Sequence, residues 1–442
     1  MARFSKETRA RNRVNGIESC GCYTLSRFFS RYSLRKNVTK VWILSELYFP
    51  EQTVPSPFLT RIAEGLAPHW RVQVVCSQPT YAARGIRAAK REERHGVYIR
   101  RVTSTTLDKD VIIYRIINFV TISLSIFFVS LRHVRRGDIV LVMSNPPLLP
   151  FLAVVLCRLR GAKSILMIQD VYPEILICAG ITGPDSILAR FGYWATRKLY
   201  RSCDSLVVLG RDMANLAAQK IEGLSGKIKI ITNWGDWDYI SPRDRDENSL
   251  LQQLQLADHF VVQYSGNMGR THGLEDLIQA ARKLVSSPEI HFLFIGSGAK
   301  RRWLEKKIRE SELKNLTILP PRSRQDLPDS LNACDLAVVA LSPGMSGVSV
   351  PSRMYNIMAA GKPILGVADV DSELSLVIAE DDSGWVVPPG QPDNIVATIL
   401  YALSHPGECR MKGLNGRQAV ERKYSFEQAL AAYEQLIEEL PQ

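Results

Sequence analysis

Residues 342–365 read Ser342-Pro-Gly-Met-Ser-Gly-Val-Ser-Val-Pro-Ser-Arg-Met-Tyr-Asn-Ile-Met-Ala-Ala-Gly-Lys-Pro-Ile-Leu365. A loop with two glycines leads into a segment that Pro351 can begin as a helix, because the missing N–H of proline has no partner to lose in a first helical turn. Gly361-Lys-Pro363 ends that helix, and Pro363-Ile-Leu-Gly-Val367 is typical of a buried strand. The stretch therefore predicts one loop–helix–strand unit of an α/β fold.

The start of the predicted helix is a candidate phosphate site. Helix N-termini present free N–H groups and the positive end of the helix dipole, and both favour phosphate. Arg353 and Asn356 lie three residues apart and so share one face of the helix. One interpretation is a phosphate-bearing ligand held by the helix, Arg353 and Asn356. An ordinary loop–helix–strand unit without a ligand fits the local pattern equally well.

Apolar runs rich in β-branched residues alternate with helical stretches along most of the chain. The first seven runs are Val41–Ser45, Val72–Cys76, Val97–Val102, Asp138–Met143, Ser164–Gln169, Ser205–Leu209 and Lys227–Ile231. A second series consists of His259–Tyr264, Ile290–Ile295, Leu316–Leu319, Asp335–Ala340, Pro363–Val367 and Gly384–Val387. Continuous apolar strands separated by helices indicate parallel sheets covered on both faces. We therefore predict two doubly wound, Rossmann-like α/β domains in tandem.

A polar, turn-rich break separates the two series. It contains the charge run Arg243-Asp-Arg-Asp-Glu247, which is typical of a solvated linker. We place the first domain at 40–237, the linker at 238–257 and the second domain at 258–415. Residues 416–442 are expected to form a helical segment that packs back toward the first domain.

The basic charge of the chain is concentrated at its N-terminus. Residues 1–40 hold ten Lys/Arg and two Glu, which leaves only +4 of the net charge of +12 for the remainder. The body therefore lacks the charge of a nucleic-acid-binding protein, and we predict no nucleic-acid partner. We expect residues 1–39 to be a disordered tail. This tail lacks the apolar core of a secretory signal. It is compatible with three interpretations: a transit peptide, an arm that binds an anionic membrane, or a start of translation near Val38.

The eight cysteines are scattered, and no Cys/His spacing resembles a zinc site. Several of them lie inside apolar runs. We interpret them as buried thiols in a reducing compartment, and we predict no metal site.

Two doubly wound domains in tandem form a cleft between the carboxyl ends of their strands, where ligands of open α/β sheets bind. Three loops of the second domain follow strands and should line one rim of it. They are Gly266-Asn-Met-Gly269, Gly296-Ser-Gly298 and the loop that leads to Pro351. His272, just beyond the first of these loops, is expected to be an exposed loop histidine, and contact with a diphosphate is the alternative.

Asp170 and Glu174 follow an apolar strand of the first domain, so they should reach the same cleft. Either carboxylate could accept a proton from an acceptor hydroxyl group or stabilise positive charge at a reacting carbon. An equally good interpretation of Asp170 is that it caps the next helix.

Six motifs carry a resemblance to a known family. They are Leu47-Tyr-Phe-Pro-Glu51, Asp170-Val-Tyr-Pro-Glu174, Asn233-Trp-Gly-Asp236, Ser265-Gly-Asn-Met-Gly269, Gly296-Ser-Gly298 and Pro351-Ser-Arg-Met-Tyr-Asn-Ile-Met-Ala-Ala-Gly-Lys-Pro363. From residue 40 to about residue 440, the chain resembles the retaining glycosyltransferases of family 4, which have the two-domain GT-B fold. It is similar to bacterial amino-sugar transferases of O-antigen, capsule and colanic acid assembly.

The resemblance implies transfer of a sugar with retained configuration from a nucleoside-diphosphate sugar, UDP-linked, without a metal or other cofactor. The acceptor would be lipid-linked or a polysaccharide and would lie on the first domain, whose Asp170 and Glu174 are our candidate catalytic residues. The second domain would bind the donor through Gly266, Asn267, Arg270, Gly296, Gly298, Gly347, Ser352, Arg353 and Asn356.

The chain departs from the family pattern at several donor positions. Two family glutamates, eight residues apart, correspond here to Val348 and Asn356. The usual arginine and lysine of the first glycine loop correspond to Asn267 and His272, so Arg270 is the cation left in that loop. Donor recognition should then depend on Arg353, with Asn356 hydrogen-bonding a ribose hydroxyl group.

The most apolar segment is Val111–Leu131, and three arginines follow it: Arg132, Arg135 and Arg136. A helix that spanned the membrane would separate the next strand from its sheet. We therefore predict a helix that packs partly on the first domain and partly into an anionic membrane surface, with Phe127 on the membrane side. The enzyme would then be cytoplasmic and peripheral at the inner face of the cell membrane. An ordinary buried helix is the alternative.

Two other functions are compatible with the sequence. A nucleotide-sugar epimerase of the same fold would convert its substrate without an acceptor. A catalytically weak GT-B scaffold that partners another transferase would account for the missing glutamates.

Overall fold

The computed structural model describes residues 39–79, 87–108, 111–223 and 225–440, and the predicted N-terminal tail lies almost entirely outside them. The first of two α/β domains contains an eight-stranded sheet in the order β3-β4-β2-β1-β5-β6-β7-β8. Its strands are β1 (Lys40–Leu44), β2 (Arg71–Ser77), β3 (Arg91–Arg94), β4 (Val97–Val102), β5 (Ile139–Met143), β6 (Lys163–Met167), β7 (Ser205–Val208) and β8 (Ile228–Ile230). β3 pairs antiparallel with β4, and the other pairings of these strands are parallel.

Helices cover both faces of this sheet. They are α1 (Ser56–Leu66), α2 (Ile112–His133), α3 (Leu149–Arg160), α4 (Glu174–Cys178), α5 (Ile187–Ser202) and α6 (Arg211–Lys220). The chain passes from β4 through β5 and β6 to β7 in one direction, so right-handed crossovers place α2, α3 and α5 side by side on one face. The connection from β1 to β2 runs the other way, which places α1 on the opposite face.

The second domain contains a six-stranded parallel sheet in the order β11-β10-β9-β12-β13-β14. Its strands are β9 (Phe260–Asn267), β10 (Ile290–Ser297), β11 (Leu316–Leu319), β12 (Leu336–Ala340), β13 (Ile364–Val367) and β14 (Gly384–Val387). Its helices are α8 (Leu274–Lys283), α9 (Arg301–Glu310), α10 (Leu327–Asn332), α11 (Arg353–Ala359), α12 (Glu373–Glu380), α13 (Pro392–Ser404) and α14 (Pro406–Arg422). The predicted tandem of doubly wound domains is confirmed. The sequence pattern missed β3, a charged edge strand.

The segment between the domains differs from the predicted solvated linker. It contains a short helix, α7 (Ser249–Gln253), whose Leu250 and Leu251 are buried. Within the charge run, Arg245 donates to both carboxylate oxygens of Asp335 at 2.7 Å. The segment is therefore packed and ion-paired against the second domain.

The last helix, α15 (Phe426–Glu439), returns to the first domain and packs on α1. Its Ala429, Tyr433 and Leu436 are buried in the core cluster that contains Val41 and Ile43 of β1. The boundary that we placed between residues 415 and 416 falls inside α14, which is one continuous helix. The return to the first domain begins after α14 ends.

Helix α2 lies on the sheet with its polar stripe turned inward. Asn118 is buried and bonds Thr105 and Leu107, and Thr121 bonds Thr105. Large apolar side chains occupy the outward face instead, and those exposed to solvent are Ile113, Tyr114, Ile116, Ile117, Val120, Leu124 and Phe128. Phe127 packs against the core, so our expectation that it faces outward was wrong. By length and composition, Ile113–His133 could cross a membrane, but β4 and β5 at its two ends belong to one sheet.

Candidate active site

The ends of β9 and β10 form the floor of the candidate site in the second domain. Gly266 and Gly296 are in register, with φ of 135° and 150°. A Cβ atom on Gly296 would lie 1.9 Å from the carbonyl oxygen of Gly266, and one on Gly298 would lie 2.6 Å from that of Met268. The close approach of the two loops is therefore sufficient reason for these glycines. Asn267 is exposed at the tip of the first loop.

Arg353, the first residue of α11, reaches across to the β9 loop. Its guanidinium carbon lies 4.9 Å from the centroid of the Tyr264 ring, and a Cβ atom on Gly266 would lie 3.2 Å from that carbon. Its Nη2 is 2.8 Å from Nε2 of His272, whereas its buried Nη1 has no hydrogen-bond partner in the part of the chain that the structure describes. Since buried polar groups are normally paired, this open donor is suited to an anionic ligand.

His272 cannot accept hydrogen bonds from all the donors of the Arg353 guanidinium. The imidazole is buried rather than exposed as predicted, and burial, followed by the charge of Arg353, lowers its pKa to about 3. Its Nδ1 also accepts a hydrogen bond from the Gly269 N–H at 3.0 Å. A neutral imidazole accepts through only one nitrogen, so the ring cannot serve both Gly269 and Arg353. The guanidinium therefore retains donor capacity for a ligand.

Asn356 makes a structural hydrogen bond on the side of α11 that faces the segment between the domains. The side-chain Oδ1 of Asn356 accepts a hydrogen bond from the Asp236 N–H at 3.0 Å, which ties α11 to the segment that joins the domains. A ribose contact through the remaining amide group stays a prediction. Arg270 is exposed at the β9 loop and has no ion pair with any residue described here. It is thus available to a ligand.

Gly347 and Ser352 lack the surroundings that a phosphate site requires. The Gly347 N–H donates to Oδ2 of Asp212 in the first domain at 2.9 Å, so it is not free for a ligand. Ser352 precedes a helix of seven residues, and its side chain makes no capping hydrogen bond. Of the predicted donor residues, Arg353 and Arg270 have the chemistry for an anion most clearly.

Asp170 lies at the carboxyl end of the first sheet and faces the loop that precedes α11. Its backbone pairs with Ser349 in an isolated antiparallel bridge, and the Val171 N–H donates to the carbonyl oxygen of Val348 at 2.9 Å. Burial raises the pKa of Asp170, and a hydrogen bond from Ser349 opposes that rise in part. The structure thus brings Asp170 to the second domain, beside Ser349. Ser349 precedes Arg353 by four residues in the facing loop.

Glu174 is held in an ion pair that the sequence did not indicate. Nζ of Lys220 lies 2.7 Å from Oε1 and 2.8 Å from Oε2 of Glu174, and it also donates to the carbonyl oxygen of Tyr172. Both side chains are largely buried. With both oxygens engaged, Glu174 is better placed to position the segment after Asp170 than to accept a proton.

A pair of acidic residues joins the two domains. Asp212 accepts hydrogen bonds from the N–H groups of Gly347 and Glu373, each at 2.9 Å. Glu373 in turn accepts from the N–H of Arg211 at 2.7 Å and from its guanidinium at 3.1 Å. Each acid thus caps the first turn of the other's helix. We call Asp212, Glu373 and Gly347 the interdomain clamp, which sequence reasoning missed entirely.

Comparison with known proteins agrees with this geometry. Residues 246–419 match the family model for glycosyl transferases group 1. Over 293 residues the chain is 34% identical to the probable glycosyltransferase WbjE of Pseudomonas aeruginosa, covering 66% of this chain and 72% of that protein. It is 30% identical over 261 residues to the putative colanic acid biosynthesis glycosyl transferase WcaI of Escherichia coli strain K12, covering 57% and 63%.

Among solved structures, HepE of Anabaena in complex with UDP and glucose is similar, with a TM-score of 0.69 and 14% identity over 91% of this chain and 100% of that chain. A sucrose-phosphate synthase from Thermosynechococcus elongatus gives a TM-score of 0.72 at 16% identity, over 90% and 98%. At such identities the likeness concerns the fold, and it confirms the predicted GT-B architecture. With the sequence relatives, it establishes that the chain belongs to the glycosyl transferases group 1 family and is a glycosyltransferase of GT-B fold.

Proposed function

We propose that the protein transfers a sugar from a UDP-linked donor to a lipid-linked or polysaccharide acceptor, with retention, in cell-surface polysaccharide biosynthesis. The name of the relative WcaI, which refers to colanic acid biosynthesis, supports the pathway class. HepE, which has been solved with UDP and glucose, supports the donor class through a shared fold.

The observation that carries the proposal is the unpartnered, buried Nη1 of Arg353. A nucleoside-diphosphate sugar leaves behind a diphosphate, whose negative charge grows as the glycosidic bond breaks. Preorganised cations and N–H groups lower the barrier by matching that charge, so a metal ion is not needed. Arg353, assisted by the exposed Arg270, performs this task for the diphosphate.

Asp170 acts from the opposite domain. The acceptor oxygen forms a bond to the anomeric carbon while the bond from that carbon to the diphosphate oxygen breaks. The acceptor proton passes to the departing phosphate or to the Asp170 carboxylate, and the carboxylate also stabilises positive charge at the anomeric carbon. Its position beside Ser349, in the loop that leads to Arg353, supports this role.

The enzyme works at the cytoplasmic face of the membrane as a peripheral protein. Support comes from the outward apolar face of α2 and from four arginines that surround a hollow at its C-terminal end: Arg132, Arg135, Arg136 and Arg160. An apolar helix face beside basic residues is suited to an anionic membrane surface.

Calorimetric titration with UDP tests the donor site. Arg353→Ala should weaken UDP binding by roughly 10- to 100-fold, because hydrogen bonds to charged groups contribute about 1.5–3 kcal/mol. Arg353→Lys retains the charge but loses the planar fork, so it should be intermediate. The exposed Arg302→Ala on α9 is the matched control and should bind UDP normally. Equal affinity in the wild type and Arg353→Ala would reject this placement of the diphosphate.

A further inference from the structure

A cavity of about 520 Å³ opens in the first domain between α3 and α5. Its walls come from the loop after β5, the segment from Asp170 to Leu176, and the facing sides of the two helices. Apolar side chains predominate, among them Leu148, Phe151, Leu176, Leu188, Phe191 and Trp194. Asp170 is the only charged residue among the described residues that line it. We call it the α3–α5 cavity.

The α3–α5 cavity joins two different environments. Its polar end is Asp170, which faces the second domain at Ser349. Its other end is a rim of Leu188, Phe191 and Trp194, more than half of whose surface is exposed, and the rings of Phe191 and Trp194 are 5.7 Å apart. A cavity with such walls holds water poorly. Exposed aromatic side chains at its mouth mark an interaction site.

The rim is continuous with the apolar face described above. Helix α3 contacts both α2 and α5, and its own Val155 and Leu159 are exposed. Arg160, at the end of α3, lies with Leu159 in the arginine-lined hollow. The arginines of this hollow form no ion pair with any residue that the structure describes. An apolar face bordered by such arginines complements an anionic lipid surface, and this favours a lipid over a protein as the occupant.

We propose that the α3–α5 cavity binds the hydrocarbon segment next to the head group of a lipid-linked acceptor, an isoprenoid chain. This inference rests on the proposed function and deepens it, since it selects a lipid-linked acceptor over a free polysaccharide. The chain enters from the membrane past Phe191 and Trp194. The head group that it carries is thereby directed toward Asp170 and the donor loop.

The test uses farnesyl diphosphate, a 15-carbon isoprenoid, as a soluble probe of the full-length protein. The titration is performed with saturating UDP, so that the probe's diphosphate cannot occupy the donor site. Wild type should bind farnesyl diphosphate at least tenfold more tightly than inorganic diphosphate. Ala195→Trp, which fills the cavity from α5, should lose at least tenfold in affinity for farnesyl diphosphate. Ile187→Trp adds the same ring to α5 at a position that is 87% exposed and outside the cavity, and it should bind normally.

Two further measurements keep the outcome interpretable. Phe191→Gln changes an exposed rim residue, so it should fold normally and still weaken binding severalfold. UDP titration of each variant should match the wild type, because the donor site is in the other domain. Failure of UDP to bind even the wild type would count against the proposed function rather than the cavity. The inference is overturned if the cavity variants bind the isoprenoid like the wild type, or if wild type binds none and instead forms a dimer that Phe191→Gln dissolves.

Discussion

Asp170 is a carboxyl group that burial has made harder to ionise, and the proposed transfer step requires it in the ionised form. Because its pKa is raised, it becomes protonated at a higher pH than an exposed aspartate. The transfer rate should therefore fall on the acid side with a midpoint above the ordinary aspartate value. Asp170→Asn should lower the rate by about 10²–10⁴-fold, the usual contribution of a positioned acid–base group. The measurement is the pH dependence of transfer at saturating UDP-sugar.

The same pKa gives a check on stability. An acid with a raised folded-state pKa binds more protons when folded, so the free energy of unfolding decreases as the pH rises between the unfolded and folded values. Asp170→Asn should remove that loss and unfold at an equal or higher temperature at pH 7. Asp185→Asn, an exposed site before α5, is the control and should change neither property. If the fall in transfer rate at acid pH is unchanged in Asp170→Asn, another group is responsible for it.

The position of Arg353 at a helix start beside the glycine loops could be predicted from the sequence, because it depends on a local motif: a loop, a helix start and a cation. The engagement of its neighbours could not. Asn356 bonds a residue 120 positions away, Gly347 one 135 positions away, and Lys220 meets Glu174 across 46. No local pattern identifies such partners, because the tertiary fold of the first domain brings Lys220 to Glu174, and the packing of the two domains brings the other two pairs together.

At the scale of elements, α2 has the reverse of a normal surface helix, with its polar stripe buried and an apolar face outward. Phe128→Glu should reduce flotation with anionic vesicles about tenfold or more, because burying a phenylalanine contributes roughly 1.5–3 kcal/mol. Met411→Glu on α14 is the matched control, since Phe128 and Met411 are 55% and 56% exposed. Flotation should also weaken as salt is raised, because the arginines contribute through screened charge.

Absence of wild-type binding to vesicles rich in anionic lipid would contradict this role of α2. So would equal flotation of Phe128→Glu and wild type. In either case the outward apolar face would need another partner, and the proposed membrane location would fall.

The parallel strands could be predicted because each is a continuous apolar run, which can be recognised without knowledge of the partner strand. β3 was not predicted because its sequence, Arg-Glu-Glu-Arg, contains no apolar residue. The strand lies at the edge of the sheet and needs no buried face. The glycines after β9 and β10 were predicted as ligand loops. A Cβ atom on Gly296 would lie only 1.9 Å from the carbonyl oxygen of Gly266, so the packing of the two loops gives these glycines a structural purpose, which the sequence alone does not reveal.

At the scale of the whole molecule, the interdomain clamp sets how the two halves of the active site meet. Asp212 is buried and accepts from two backbone N–H groups of the second domain, so Asp212→Ala leaves both without a partner. Each buried unpaired group costs about 1–3 kcal/mol, and separation of the domains relieves that cost by admitting water. Asp212→Ala should therefore show a larger radius of gyration in X-ray scattering and a slower transfer rate.

UDP affinity should change little in Asp212→Ala, because Arg353 and the glycine loops belong to the second domain alone. Asp212→Asn keeps an acceptor oxygen at the same position, so it should restore the compact scattering profile and most of the rate. Such a rescue would show that Asp212→Ala acts through the lost hydrogen-bond acceptor and not through a general loss of folding. If Asp212→Asn fails as well, the negative charge itself is required. If Asp212→Ala scatters and transfers like the wild type, the clamp does not hold the domains together, and the packed segment around Arg245 and α15 must do so alone.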